Sequence, residues 1–153
     1  PFHSTMYTLM GIGAVVLAAA SPAVGALLLR HRPREWQGAF WLSVVIGLAL
    51  TFVLGAGAGV VLSAGDSHWI GGVRSDAGGV PIVGWSRTGG DLRVAHFLGM
   101  HALHILPVLG FLAANLMSAR AAKGAVLAGS LAYVAITAFV FRQALAGIPL
   151  VPV

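Results

Sequence analysis

Four long apolar runs, separated by polar or basic breaks, dominate the pattern of hydrophobic and polar positions along the chain. They cover residues 5–29, 38–62, 94–118 and 124–146. Each is long enough to supply the roughly 20 apolar residues that a helix needs to cross a bilayer. The pattern predicts an all-α integral membrane four-helix bundle, a single transmembrane domain over residues 1–153. Between the second and third helices it leaves one long polar segment, residues 63–93, expected as an extracytoplasmic loop over the mouth of the bundle.

Punctuation within the runs refines this picture. Pro22 removes one hydrogen bond from the first helix and should kink it, and the run Arg30-His31-Arg32-Pro33-Arg34-Glu35 ends it. Trp36 and Trp41 open the second span at interface depth. Gly55 and Gly59 lie four apart, the small-xxx-small spacing that lets helices approach closely. A packing seam inside the chain is favoured over a dimerisation face, and so many glycines also leave room for a flat ligand. In the loop, Val80-Pro81-Ile82-Val83 fits a brief strand or an interfacial segment, with Pro81 arguing against a central strand. Pro107 falls near the middle of the third span, and Arg120-Ala121-Ala122-Lys123 is expected to form a tight turn that makes the last two helices antiparallel neighbours. From Gly147 onward, Pro149 and Pro152 keep the tail out of a helix.

Composition narrows the class. Hydrophobic residues make up 58% of the 153 and charged residues 8%, with a mean hydropathy of +0.92, against about one-quarter charged content in soluble domains. The bilayer is thus the first partner, and no separate soluble domain is expected. The formal charge of +5 comes from basic residues dispersed at segment ends; without an aromatic-interleaved basic patch they imply no nucleic-acid partner. With no cysteine, disulfides and thiolate metal sites are excluded. The sequence opens on Pro1 with no basic n-region, so a processed chain or part of a longer one is expected.

Charge also predicts orientation. Arg30, Arg32, Arg34, Arg120 and Lys123 against Glu35 leave +4 on one side; Arg74, Arg87, Arg93 and Arg142 against Asp66, Asp76 and Asp91 leave +1 on the other. The positive-inside rule places the first group in the cytoplasm. Both termini and the long loop are then extracytoplasmic.

Ionisable side chains in a membrane segment mark functional sites by default, and the third span carries His96, His101 and His104. At about 100° per residue, His101 lies about 140° and His104 about 80° from His96, so all three fit one broad face. His101 and His104, three apart, could share one metal ion such as copper or zinc, with His3, His68 or Asp91 completing the sphere around them and His96. Alternatively, one or two of the histidines could be axial ligands to haem b, with Gly99, Ala102 and Gly110 admitting the ring and Phe97 stacking on it. A third possibility is structural imidazoles bonded to backbone carbonyls, with no cofactor. Arg142, the one basic residue well inside an apolar span, could meet Asp91 or a ligand carboxylate, or snorkel to the surface. Asp91 suits the N-cap of the third helix.

The stretch Gly84-Trp85-Ser86, Thr88-Gly89-Gly90-Asp91-Leu92-Arg93 and His96-Phe97-Leu98-Gly99-Met100-His101-Ala102 resembles one carried by a group of bacterial multi-span membrane proteins of unknown function. The resemblance covers under a fifth of the chain. It implies that Asp91, Arg93, His96 and His101 belong to the group's pattern, in which Gln often stands at the place of His104, and that members extend further at the front.

No GxSxG, phosphate-binding glycine loop or intramembrane carboxylate pair is present, so a non-catalytic subunit is expected. The leading expectation is a small subunit of a bacterial inner membrane, binding haem or a transition metal through the histidine cluster within a larger electron-transfer or oxidase-type complex of membrane subunits. The alternatives are a cofactor-free scaffold packing against partner helices and a small-solute or metal-ion transporter. The transporter is disfavoured because the four spans show no internal repeat.

Overall fold

A computed structural model describes residues 2–31 and 38–153. Arg32, Pro33, Arg34, Glu35 and Trp36 lie outside the described residues, as does the side chain of His3. Helix α1 spans Phe2–Arg30, α2 Ala39–Leu50, α3 Gly57–Ala64, α4 Leu92–Leu116 and α5 Ala119–Leu145. A π-helical turn, Thr51–Ala56, joins α2 to α3 without a break. Among the described residues, four helical stretches are long and apolar enough to cross a membrane: Thr8–Arg30, Ala39–Ala64, Leu92–Leu116 and Ala119–Leu145.

The boundaries differ from the hydropathy pattern where local chemistry outweighs it. The Arg120–Lys123 segment is the first turn of α5 rather than a loop, since alanine and the straight-chain basic residues are strong helix formers. The connection shrinks to Met117 and Ser118, and the Ala122 amide donates to the Ser118 carbonyl at 2.8 Å. Helix α4 starts at Leu92 because Asp91 caps it. Pro22 and Pro107 both sit inside helices that continue through them. At the other end of α5, Gly147 adopts φ +74°. Its amide donates to Ala144 and the Ile148 amide to Gln143, at 3.0 and 3.1 Å, the reverse turn that closes helices on a left-handed glycine.

Helix α4 is central, packing on α2, the π-helical turn, α3 and α5, while α1 rests on α2 and the π-helical turn. Helix α4 runs antiparallel to both α2 and α5. Gly110 near the end of α4 faces Ser43 and Ala39 at the start of α2, and Gly90 before α4 faces Ala144 at the end of α5. Small residues make these contacts: Ala39, Ala113, Ala122 and Val126 form a buried cluster, and a Cβ placed on Gly99 would lie 2.5 Å from the Gly55 amide nitrogen. The Gly55 spacing is thus used within the chain. Buried hydroxyls are satisfied by bonds back along their own helices, as with Ser130 to Val126 at 2.8 Å and Thr137 to Tyr133 at 2.9 Å.

Gly99→Ala should therefore destabilise by about 1–3 kcal/mol through overpacking. Gly13→Ala, in α1 with nothing within 4 Å of the added Cβ, should be neutral or slightly stabilising. Thermal unfolding in detergent distinguishes the two, and equal midpoints would refute the close approach.

Candidate functional site

The site is built downward from the loop. Asp91, 3% exposed, accepts from the Arg93 amide at 3.1 Å and so caps α4. Its other oxygen accepts from the Ser86 amide at 3.0 Å, and the Arg93 side chain donates to both oxygens, at 3.0 and 2.7 Å. With these bonds the lone pairs of the carboxylate are filled. Arg93 reaches further, to Asp76 at 2.7 Å and the Gly84 carbonyl at 2.9 Å. One guanidinium thereby ties three points of the loop to the start of α4. A two-residue antiparallel pair, β1 Trp69–Ile70 with β2 Gly90–Asp91, closes the base of this arrangement. Val80–Val83 is a turn rather than a strand, with Ile82 at φ +74° and the Gly84 amide bonded to Val80 at 2.8 Å.

The carboxyls respond to this clamp. The Arg93 hydrogen bond holds Asp76 below the usual carboxylate range. For Asp91, burial pushes the carboxyl up, but the Arg93 side chain and the Ser86 and Arg93 amides together outweigh it and hold the group below its ordinary value.

Beneath the clamp, α4 carries its three histidines in two different settings. His96 is half-buried, and its Nδ1 lies 3.0 Å from the Gly55 carbonyl in the π-helical turn. A carbonyl only accepts, so Nδ1 carries a proton, and in the neutral ring the lone pair is on Nε2. Gly59 makes room for the ring: a Cβ there would come within 3.2 Å of His96 Cε1. His96 lines two adjacent cavities. One, of about 470 Å³, lies between α1, the π-helical turn and α4; the other, of about 450 Å³, lies between α1 and α3. Both are walled by Ala14, Ala18 and Ala56, and His96 is their one ionisable side chain.

His101 and His104 sit apart from this groove. The His101 ring stacks on Phe97 at 3.9 Å, with Trp85 edge-on to Phe97 at 5.5 Å, and its Nδ1 lies 2.8 Å from the Phe97 carbonyl. His104 is exposed, its ring centroid 5.3 Å from that of His101. His68 stacks on Trp69 at 3.8 Å and approaches Asp76 at 3.7 Å, within the loop. Arg142 is exposed and, among the described residues, forms no ion pair with Asp91, which Arg93 occupies. Among the described residues, no three His, Cys, Asp or Glu side chains gather closely enough to hold a metal ion.

No family model matches the chain, nor does any curated protein or solved structure.

Two elements of the site have no sequence signal: the π-helical turn, whose residues read as ordinary apolar helix, and the reach of Arg93 to Asp76 across the loop. The Asp91 cap and the prominence of His96 and His101 are visible in the spacing alone.

Because both carboxyls are lowered in the folded state, their stabilisation is full above about pH 4 and is lost as pH falls through the native values. Amide protection of residues 65–91, taken relative to intrinsic exchange at each pH, should fall below that pH while the helices stay protected. Arg93→Ala, which strands a buried Asp91 charge, should release the same loop at neutral pH at a cost of about 3–5 kcal/mol. Unchanged loop exchange in that variant would refute the clamp.

Proposed function

We propose that the protein is a small non-catalytic subunit of a bacterial inner membrane, a four-helix bundle with its loop and termini extracytoplasmic, that holds a haem-type tetrapyrrole on His96. One observation carries this: a histidine whose Nδ1–H is fixed on a backbone carbonyl, leaving Nε2 as a free ligand, lines a small-residue groove of about 470 Å³. Bonding of the remote ring nitrogen to a carbonyl is the support that metal-ligating histidines ordinarily have, and the volume is in the range of cofactor sites.

The donor set favours a tetrapyrrole over a bare ion at this position. An ion would need about four protein ligands, and the groove supplies one imidazole and the Met100 thioether among mostly apolar side chains. A tetrapyrrole brings four nitrogens of its own. The lining holds no Lys or Arg, and its hydroxyl side chains are Ser21, Thr51 and Ser63. When bound, haem supplies one-electron redox chemistry, which is the reason to place the subunit in a larger electron-transfer or oxidase-type assembly. The chain's part would be to hold and orient the His96 imidazole through the Gly55 bond. The scaffold alternative draws less support, because Gly55, Gly99 and Gly110 are occupied by contacts inside the chain.

Protein extracted in mild detergent should show a Soret band that sharpens with dithionite. The band should be lost in His96→Ala and kept in His101→Ala. A featureless spectrum without iron, or loss of the band in His101→Ala alone, would overturn the assignment.

A further inference from the structure

His101 and His104 remain unused by the groove, and their ring separation is one that two ligands to one ion can have. At a zinc–nitrogen distance of about 2.0–2.1 Å and tetrahedral angles, two bound imidazoles have centroids about 5 Å apart; these rings are 5.3 Å apart. The Phe97 carbonyl accepts a hydrogen bond from the His101 Nδ1–H at 2.8 Å, so that in the neutral ring Nε2 is the nitrogen able to ligate. Phe97 also holds the ring by stacking. His104 stands one turn along on the same face.

The remaining ligands are missing from this chain's own described residues, since no third ligating side chain joins the pair. The face that carries the pair is nevertheless built as an interface. Phe97, His101, His104, Val108, Phe111 and Asn115 follow one another at alternating steps of four and three, the repeat of a helix seam that meets another helix. Phe97 is 41% exposed, Val108 58% and Phe111 57%, with Phe111 also edge-on to Phe40 of α2 at 6.3 Å, while Ala95, Ala102 and Leu106 are buried on the other side of α4. Imidazoles on a membrane-depth face are costly against lipid and are expected to find a partner.

We propose that His101 and His104 are half of a tetrahedral site for a divalent cation of the zinc class, completed by the same two histidines of a second copy of this chain. A two-fold axis through the ion supplies the two missing ligands without any further residue, because a two-fold interface pairs one patch with itself. Four neutral imidazoles suit a borderline metal such as zinc. The site is independent of the groove at His96.

The test uses the whole chain in detergent, stripped of metal with a chelator and titrated with zinc sulfate. Molar mass is read by light scattering and zinc content by elemental analysis. The expected result is conversion of monomer to dimer with one zinc per two chains, reversed by chelator, and a tetrahedral visible band when cobalt replaces zinc. His104→Ala, at an exposed position, removes two of four ligands from the dimer and should weaken zinc binding by more than about 100-fold. His101→Ala should act alike, with helicity checked by circular dichroism, and Gly13→Ala, in α1 with open space around it, should leave zinc-dependent dimerisation unchanged. Zinc bound at one per chain without dimerisation, dimerisation indifferent to chelator, or no zinc uptake would each overturn the proposal.

Discussion

The structure depends on the close approach of α4 to the π-helical turn of the second span. Gly99 lies against Gly55 so tightly that Gly99 has no room for a methyl group, which would meet the backbone of Leu54 and Gly55. At that separation side chains can bond the backbone of the opposite helix: His96 to the Gly55 carbonyl at 3.0 Å, and the Leu103 amide to Thr51 Oγ1 at 2.9 Å. In an apolar solvent the hydrophobic effect gives helices little reason to associate, and small-residue contact with interhelical hydrogen bonds provides the specificity. The same approach orients α4 about its axis. Ala95, Gly99, Ala102 and Leu106 turn inward, and the opposite stripe, with His101 and His104, turns out.

The loop solves a different problem with the same helix. A segment of some two dozen residues rich in glycine has little apolar surface with which to order itself, and conformational entropy opposes it at every residue. Charge supplies what burial cannot. Arg93 meets Asp91, Asp76 and the Gly84 carbonyl together, and Asp91 is itself fixed by capping α4. The order of the loop and the start of the helix are therefore one cooperative unit, located directly above the depth of His96.

Much of the fold is legible in the sequence because hydropathy is a long-range average: four apolar runs of bilayer length survive any local error. The errors occur where a few residues decide. Arg120-Ala121-Ala122-Lys123 reads as a polar break, yet helix propensity keeps it in α5. Val80–Val83 reads as a possible strand, yet pairing would need a neighbour that the turn at Gly84 does not provide. Asp91 is recognisable as a cap because capping is a property of adjacent residues. The π-helical turn is invisible because it depends on where another helix packs, and that is a matter of three dimensions.

The histidines show the same limit most clearly. Separations of five and three residues allow one shared face by helical geometry alone, and a three-histidine centre follows naturally from them. A helix in contact with two neighbours has its circumference divided, however, and an offset of about 140° is enough to put His96 and His101 on different sides of the division. His96 then faces a groove that holds no second imidazole and no carboxylate, with the Met100 thioether in the same wall, and it stands apart from the other two histidines. His101 keeps a neighbour one turn away, and its chemistry is that of a pair. Which residues α4 buries, rather than how its histidines are spaced, decides what each of them can bind.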